Sequence, residues 1–231
     1  MNEQSNAQNH TFFKCFVVYL EWRKQVLSGS SPLELSLPWV TVLSKNYMVD
    51  FLVRRPAAKV FEYGSGGSTL FFLRYAEQVV TVEHDRTWFD KVKSLLEQHP
   101  KRSNWEGFLF EPEKINSMNA KPADPSNPGD YYTQDEQYAD CVFEQYAKQI
   151  DAYPDDFFDL VLVDGRSRPA CVQHSLPKIR TGGWLVVDNA EREYYKLNNL
   201  IKEEEFNLFL DHHGALISLP QYTQTNIYVK K

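Results

Sequence analysis

The stretch KVFEYGSGGSTLFFLRYAEQVVTVEHD, residues 59–85, decides the fold of this chain. Its pattern predicts a strand, a tight turn, a helix and a second strand, in that order, at residues 60–61, 64–67, 70–76 and 79–82. Glycine has no Cβ atom, so a turn with three glycines can bring backbone N–H groups close to a ligand. The segment therefore predicts an α/β unit with a ligand site at its turn.

Polar side chains around the turn indicate what kind of ligand it binds. Ser68 or Thr69 can cap the helix that follows. Glu83 ends the second strand 19 residues after Gly64, where a carboxylate can receive both hydroxyl groups of a ribose. Together the turn and this acid predict an adenosine-containing cofactor.

The glycine pattern favours S-adenosylmethionine (SAM) over a dinucleotide. In the dinucleotide fingerprint G-x-G-x-x-G the last glycine allows tight packing of helix on strand, and Thr69 occupies that position here. Glu62, two residues before Gly64, would repel a pyrophosphate and attract a cation. SAM carries an ammonium and a sulfonium group and no phosphate. An NAD(P)-dependent oxidoreductase remains the alternative prediction.

These motifs resemble those of class I SAM-dependent methyltransferases. VFEYGSGGSTLFF, residues 60–72, is similar to the first motif of that family, and TVEHD, residues 81–85, is similar to the second. The resemblance runs from about residue 60 to the C-terminus and is weakest between residues 111 and 150. It implies that the methionine part of SAM is held by Glu62, Gly64, Ser65 and Gly66, and the ribose by Glu83. The other predicted cofactor-binding residues are Tyr63, Ser68, Thr69, His84 and Asp164.

Strands that alternate with helices along the rest of the chain predict an α/β fold with a doubly wound, parallel, Rossmann-like sheet. Further helices are expected at residues 11–27, 39–53, 87–98, 169–176 and 191–205. Further strands are expected at residues 107–110, 159–163, 184–187, 208–210, 215–219 and 226–229. The resemblance adds a mostly parallel seven-stranded sheet with helices on both faces and an antiparallel last strand. Residues 1–55 are expected to form an N-terminal helical extension, and residues 56–231 the SAM-binding domain.

Residues 111–150 interrupt this alternation and are interpreted as an insertion. Its first part contains four prolines, Pro112, Pro122, Pro125 and Pro128. Long irregular segments of compact domains often form lids or binding loops. We therefore expect the insertion to shape the acceptor pocket, with Tyr131 and Tyr132 facing the substrate. A disordered surface insertion is the alternative.

Oxygen-bearing side chains follow the two later strands of the predicted sheet. DLVLVDGR, residues 159–166, ends its strand at Asp164, and WLVVDNAE, residues 184–191, ends its strand at Asp188 and Asn189. Open α/β sheets bind ligands outside the carboxyl ends of their strands, so these side chains are expected at one edge. Carboxylate and amide oxygens suit Mg²⁺ or a similar divalent cation. Asp164, Asp188 and Asn189 are therefore the predicted catalytic and metal-binding residues.

This triplet is similar to the metal ligands of the catechol and caffeoyl-CoA O-methyltransferases. The resemblance implies an ion that binds the acceptor hydroxyls, lowers their pKa and orients one oxygen toward the methyl group. Those families carry a lysine base three residues after the first Asp, where this chain has Ser167 between Arg166 and Arg168. The general base is therefore open. Without a metal, Asp164 is a cofactor contact or a helix cap, and Asp188 with Asn189 caps the next helix.

The composition argues against several classes of partner. The 231 residues carry a formal net charge of -6 and no long Lys/Arg run, so nucleic acid is not an expected acceptor. No apolar run reaches the length of a membrane span, and no secretory signal is recognisable. Three cysteines without metal-like spacing are typical of reduced thiols, so the protein is expected to be cytoplasmic.

The sequence thus predicts a SAM-dependent methyltransferase that acts on a small-molecule acceptor, at oxygen. A small phenol, a sugar hydroxyl and a carboxylate all remain open as acceptors. The N-terminal extension allows a homodimer as well as a monomer. Besides the oxidoreductase, a non-catalytic protein of the same fold that binds a partner remains an alternative.

Overall fold

The computed structural model describes residues 16–115 and 124–231, and its central feature is a seven-stranded sheet. The strands are β1 Lys59–Tyr63, β2 Gln78–Glu83, β3 Trp105–Leu109, β4 Glu113–Lys114, β5 Cys141–Val142, β6 Phe158–Val163, β7 Ile179–Asp188, β8 Phe206–Ala215 and β9 Tyr222–Lys230. Their order across the large sheet is β3-β2-β1-β6-β7-β9-β8, and β4 pairs with β5 separately.

Parallel pairing dominates the sheet. β1 is parallel to both β2 and β6, and β2–β3 and β6–β7 are parallel as well. β9 is antiparallel to β7 and to β8. The predicted mostly parallel seven-stranded sheet with an antiparallel last strand is therefore confirmed. β2 and β3 lie on one side of β1, and β6 and β7 lie on the other. The connections that follow β1 and β6 therefore run away from each other and leave a crevice at the carboxyl ends of these two strands, where such folds bind ligands.

Helices cover both faces of the sheet, as predicted. They are α1, described from residue 16 to residue 28, α2 Pro32–Leu35, α3 Val42–Val53, α4 Gly67–Tyr75, α5 Arg86–Leu96, α6 Glu144–Lys148, α7 Arg168–Ser175 and α8 Leu197–Leu200. α3, α4 and α5 pack on one face, and α6, α7 and α8 on the other. Successive residues of a strand point to opposite faces, so Val60 joins the first core and Phe61 the second. In the described part of the chain no helix is long and apolar enough to cross a membrane.

Local caps explain why the early helices lie close to their predicted positions. The Asp85 side chain accepts a hydrogen bond from the Trp88 N–H (2.8 Å) and begins α5. Thr41 caps α3 in the same way, so that helix begins three residues after the predicted start. α4 begins at Gly67, three residues before its predicted start, because the hydroxyl of Thr69 reaches back to the Gly66 N–H (3.1 Å).

Two predictions near the C-terminus are wrong. In place of one helix over residues 191–205 there are a 3₁₀ turn at Glu193–Tyr195 and the four-residue α8. Between them Lys196 has a left-handed backbone with φ 48°, which interrupts a helix. Of the strand predicted over residues 215–219, Ala215 ends β8 and Leu216 makes a single bridge to Thr41, and a turn follows in which Ser218 has φ 65°. The first break has no glycine or proline to mark it, whereas Gly214 and Pro220 flank the second.

The insertion is folded over much of its described length. β4 and β5 pair antiparallel, and α6 leads into β6. Arg166 Nη2 lies 3.1 Å from Asp135 Oδ2, and the Tyr131 hydroxyl lies 3.3 Å from His174 Nε2. The insertion is therefore held against α7 and the loop that precedes it, whereas its role as a lid stays a prediction. The beginning of the first predicted helix and Pro122 fall on residues 1–15 and 116–123, which lie outside the described residues.

Candidate functional site

The glycine turn depends on the backbone of Gly64. Its φ is 96°, a conformation that glycine adopts without the steric cost other residues have. Its N–H donates to the Val82 carbonyl of β2 (2.9 Å). A Cβ atom here would lie 3.3 Å from the Asp164 carbonyl oxygen. The turn thus packs against the end of β6, and Asp164 lies at the same edge of the sheet.

The two glycines that follow differ in the space around them. A Cβ atom on Gly67 would overlap the carbonyl groups of Pro32 and Leu37, so the chain around α2 packs directly on the start of α4. For Gly66 the nearest atoms to such a Cβ belong to the Trp88 ring, 3.9 Å away. A ligand therefore has room beside Gly66 and none beside Gly67.

Glu83, the predicted ribose acid, is bonded to the turn. Its Oε2 accepts hydrogen bonds from the Ser65 N–H (2.8 Å) and the Ser65 hydroxyl (2.9 Å). Its Oε1 accepts from the N–H groups of His84 (2.7 Å) and Asp85 (2.9 Å). Burial raises the pKa of Glu83, but the His84 ring and these N–H groups outweigh burial, and the pKa lies below its usual value. Glu83 is therefore an ionised acceptor at neutral pH.

Glu62 is a fully buried carboxyl group beside the first turn of α4. Its Oε1 accepts a hydrogen bond from the Thr81 hydroxyl (2.7 Å), whereas among the described residues its Oε2 accepts no hydrogen bond of good geometry, although the hydroxyls of Ser68 and Thr69 lie near the carboxyl group. Burial raises the pKa of Glu62 to about 7, although the hydroxyls of Ser68, Thr69 and Thr81 oppose the shift. A buried polar atom without a partner costs free energy. Glu62 Oε2 is therefore an acceptor that a cationic ligand group would satisfy.

The Tyr63 side chain lies away from the predicted cofactor site. It points to the face of the sheet opposite Glu62, where it is fully buried and its hydroxyl donates to the Ala147 carbonyl (2.8 Å). The reason is the alternation of side chains along a strand, which places neighbouring residues on opposite faces. The Tyr63 side chain belongs to the core, and only its backbone lies at the glycine turn.

The remaining predicted cofactor residues lie close to the two acids. Ser68 and Thr69 are buried in the first turn of α4. His84 Nδ1 is 2.7 Å from Glu83 Oε1, and its ring packs edge-on against Tyr138 of the insertion with 5.4 Å between ring centroids. The insertion therefore extends over the end of β2 as well as the loop after β6.

Trp88 is a residue of this site that the sequence analysis missed. Its indole Nε1 donates to the Ser65 carbonyl (2.7 Å) and so links the start of α5 to the glycine turn. Its side chain stands beside Gly66, on the side where a ligand has room. The sequence signal that could have identified it is a large aromatic residue in the first turn of the helix after Glu83. Helical periodicity alone assigns such a residue to the core.

Arg168, the first residue of α7, lies between the two strand-end aspartates. Its Nη2 is 3.1 Å from Asp164 Oδ1, and its Nη1 is 3.9 Å from Asp188 Oδ2. Its Nε donates to the Gly165 carbonyl (3.0 Å), and Nη1 also donates to the main-chain carbonyl of Asp188. Burial, reinforced by Asp188, raises the pKa of Asp164 well above its usual value although Arg168 opposes the shift. Burial likewise raises the pKa of Asp188 to about 6.

Strand β9 holds Asp188 and Asn189 from the other side. The Thr225 hydroxyl donates to Asp188 Oδ1 (2.7 Å). Asn189 has a left-handed backbone, φ 50°, and its Nδ2 donates to the Thr223 hydroxyl oxygen (2.7 Å). The sheet thus brings all three predicted metal ligands to one edge, but each is already fixed by a neighbour within the protein.

These residues do not fit the predicted metal site. The predicted set consists of two carboxylates and one amide, and across residues 16–115 and 124–231 no third His, Cys, Asp or Glu side chain joins them to hold an ion. The space between Asp164 and Asp188 is taken by the guanidinium of Arg168. A divalent ion would have to displace this buried cation from both carboxylates. The metal-dependent part of the predicted resemblance is therefore not supported by the arrangement of the side chains.

A narrow crevice of about 10 Å³ lies beside Arg168, between the loop after β6 and the segment after β7. Its walls include Tyr132, Thr133, Ser167, Arg192, Tyr194 and Tyr195. Tyr132 comes from the insertion, which therefore contributes to the wall. The Arg192 Nη1 donates to the Tyr195 hydroxyl (3.1 Å). Arg192 and the two tyrosines escaped the sequence analysis because residues 191–205 were assigned to a continuous helix.

A larger groove of about 510 Å³ lies at the opposite edge of the sheet. Lys59, Glu77 and Trp105 line it, at the amino ends of β1, β2 and β3. Open α/β sheets bind ligands at the carboxyl ends of their strands. The groove contains none of the predicted site residues, so its size alone does not make it the functional site.

Comparison with known proteins places the fold. No protein-family model and no curated protein matches the chain. The O-methyltransferase TomG from Streptomyces achromogenes, solved with SAM, has a TM-score of 0.57 and 15% identity and covers 90% of this chain and 89% of its own. Cofactor-bound Rv0187 from MTB has a TM-score of 0.57 and 14% identity, over 90% of this chain and 89% of its own. SMU.1697c from Streptococcus mutans, in complex with SAH, has a TM-score of 0.52 and 12% identity, over 80% of this chain and 97% of its own.

At these identities the likeness concerns the fold. The chain has the Rossmann-like fold of class I SAM-dependent methyltransferases, in agreement with the motifs at residues 60–72 and 81–85.

Proposed function

We propose that this protein is a SAM-dependent methyltransferase that methylates oxygen of a small-molecule acceptor. The observation that carries the proposal is the unpaired, buried carboxylate oxygen of Glu62 beside the glycine turn of a methyltransferase fold. An ionised carboxylate there attracts the cationic groups of SAM and repels a pyrophosphate. The strand-end acids and the fold likeness to TomG, which is named an O-methyltransferase, support oxygen as the acceptor atom.

Three residues in and beside the turn account for cofactor binding in this proposal. Glu62 binds the ammonium group of SAM and loses its proton as the ligand enters. Glu83 binds the ribose hydroxyls, which replace the Ser65 hydroxyl on its Oε2. The backbone at Gly66 approaches the ligand because no Cβ stands in the way. Bound SAM supplies an electrophilic methyl group on a sulfonium.

Asp164 is the proposed proton acceptor. It ends β6 beside the glycine turn, its side chain is 21% exposed, and its Oδ1 is bonded to Arg168. Asp164 would accept the proton that the acceptor hydroxyl loses when the methyl group of SAM is transferred to its oxygen, with SAH as the other product. The acceptor enters beside Arg192 and Tyr132, where the crevice of about 10 Å³ holds about one water molecule and must widen to admit it. Positioning of the two reactants supplies much of the rate.

The two alternative functions predict different ligands. An NAD(P)-dependent oxidoreductase binds a dinucleotide, which the carboxylate of Glu62 disfavours. A non-catalytic protein of this fold binds SAM without turnover or binds no nucleoside at all. The ligand that binds at the glycine turn therefore separates the three.

Calorimetric titration with SAM, SAH and NAD tests the proposal. The wild type should bind SAM and SAH and not NAD, and Glu62→Gln should weaken SAM binding. Glu77→Gln is the matched control, since Glu77 is an exposed carboxylate at the opposite edge of the sheet. Binding of NAD alone, or equal SAM affinity in both variants, would contradict the cofactor assignment.

Turnover with a panel of phenols, sugars and carboxylic acids then tests the acceptor. Asp164→Asn should lose methyl transfer while retaining SAM binding, because the amide cannot accept the proton. Glu136→Gln changes an exposed carboxylate of the insertion and should keep most of the activity. Full activity in Asp164→Asn would remove Asp164 from the mechanism.

A further inference from the structure

All three guanidinium nitrogens of Arg168 are bonded at the carboxyl edge of the sheet. Nε donates to the Gly165 carbonyl (3.0 Å), Nη2 to Asp164 Oδ1 (3.1 Å), and Nη1 to the main-chain carbonyl of Asp188. The Asp188 carboxylate is within ion-pair distance as well, at 3.9 Å. The Arg168 side chain is only 8% exposed. A buried arginine with this set of partners is a built element of the site, unlike an exposed ion pair.

The position of Arg168 in its helix indicates that the carboxylates of Asp164 and Asp188 stabilise it there. It is the first residue of α7, where the helix dipole disfavours a cation. Ser167 before it has a left-handed backbone, φ 47°, so the chain turns sharply out of the loop after β6. The attraction of Asp164 and Asp188 must outweigh both unfavourable features.

We propose that the Arg168 guanidinium is the built-in cation of this site and takes the place between Asp164 and Asp188 that a divalent metal ion would otherwise occupy. In this role Arg168 is a positioning residue, since it holds the carboxylate of Asp164. The inference rests on these contacts and does not depend on the proposed methyl transfer.

Two consequences follow for metal binding. The wild-type protein has no tight site for a divalent ion at this edge, because an ion would first have to displace a buried, fully bonded guanidinium. Removal of the guanidinium should uncover a site, because Asp164, Asp188 and the Asn189 amide then remain as hard oxygen ligands. Loss of one side chain is therefore expected to create a metal site.

The test is a Mn²⁺ titration followed by the electron paramagnetic resonance signal of the free ion. Arg168→Ala should gain one saturable site, whereas the wild type and Arg168→Lys should show none below about 1 mM. Arg192→Ala is the matched control, since it removes an arginine of the same crevice that is not between the aspartates. SAM binding is measured in parallel by calorimetry. A wild type that binds no SAM would contradict the proposed function and leave the Mn²⁺ result to test Arg168 independently.

Thermal unfolding gives a second readout for the same variants. Arg168→Ala leaves two carboxylates without their cation, and Mn²⁺ at about a hundredfold excess over its Kd should raise its melting temperature by roughly 5–10 °C. The melting temperature of the wild type should not respond to Mn²⁺ or to a chelator. Saturable Mn²⁺ binding by the wild type would overturn the proposal, as would a folded Arg168→Ala that binds none. Arg168→Gln, which keeps an amide donor, replaces Arg168→Ala if the latter does not fold.

Discussion

Glu62→Gln should stabilise the protein at neutral and alkaline pH, although it hardly changes the shape of the side chain. Glu62 is fully buried, and burial raises its pKa from 4.5 to about 7. Between these values the folded protein keeps a proton that the unfolded chain has released. The stability linked to Glu62 is therefore present at low pH and is lost as the pH rises from 4.5 through about 7.

The size of the effect follows from the shift in pKa. At about 1.4 kcal/mol per pKa unit, Glu62 alone removes about 2.5 kcal/mol from the free energy of unfolding between about pH 5 and about pH 8. The free energy of unfolding of a typical domain is only about 5–15 kcal/mol. Asp188, whose pKa is raised, contributes in the same direction, and Glu83, whose pKa is lowered, in the opposite one. The difference between wild type and variant isolates Glu62.

Urea unfolding at several pH values between about 5 and 8 measures this difference. The wild type should lose stability relative to Glu62→Gln as the pH rises, and the two should converge near the low end. Glu77→Gln, at an exposed position, should follow the wild type. Parallel curves for the wild type and Glu62→Gln would refute the reasoning, since they would mean that Glu62 titrates equally in the folded and unfolded chain.

The same group links pH to SAM binding if the proposed function is right. SAM would bind the ionised form of Glu62, so its apparent Kd should rise roughly eightfold from about pH 7.5 to about pH 6. Glu62→Gln should bind SAM weakly at every pH. A variant that is more stable but binds less well would show that Glu62 is retained for the ligand.

Other substitutions test the packing around the site. Gly67→Ala should lower the free energy of unfolding by about 1–3 kcal/mol, because its Cβ overlaps backbone carbonyls. Gly66→Ala should fold normally and lose SAM affinity. Urea unfolding measures the first effect and calorimetry the second. Trp88→Phe removes the hydrogen bond to the turn and should weaken SAM binding about threefold to tenfold by calorimetry, with an unchanged affinity speaking against a role for the indole. Thr225→Val leaves the buried Asp188 oxygen without its donor and should cost about 1–3 kcal/mol in urea unfolding, while Thr225→Ser should lose little.

The strand–turn–helix–strand unit could be predicted because the interactions that form it are local. Gly64 needs a conformation that glycine favours, and Thr69 and Asp85 cap helices within three residues of themselves. The meeting of Asp164 and Asp188 at one edge was also predictable, since parallel strands end at the same edge of a sheet. These features follow from short-range chemistry and from the rules of sheet topology.

The breaks near the C-terminus could not be predicted in the same way. Lys196 and Ser218 adopt left-handed backbones without being glycine, and only Ser218 has a proline nearby, Pro220. The turn around Ser218 is bonded to residues distant in the sequence, since Leu216 bridges Thr41 and the Ile217 N–H donates to the Val40 carbonyl (3.1 Å). The crevice that Arg192 and Tyr194 line depends on the irregular course before Lys196.

Sequence alone determined the α/β class, the glycine turn with its acid Glu83, and the pair of strand-end aspartates, because each rests on residue type and spacing. Only the tertiary structure decided that Glu62 keeps an unpaired buried oxygen and that Arg168 lies between Asp164 and Asp188. Burial and the direction of a long side chain depend on elements distant in the sequence. The electrostatics of the site, and with it the choice between a metal ion and a guanidinium, therefore come from packing.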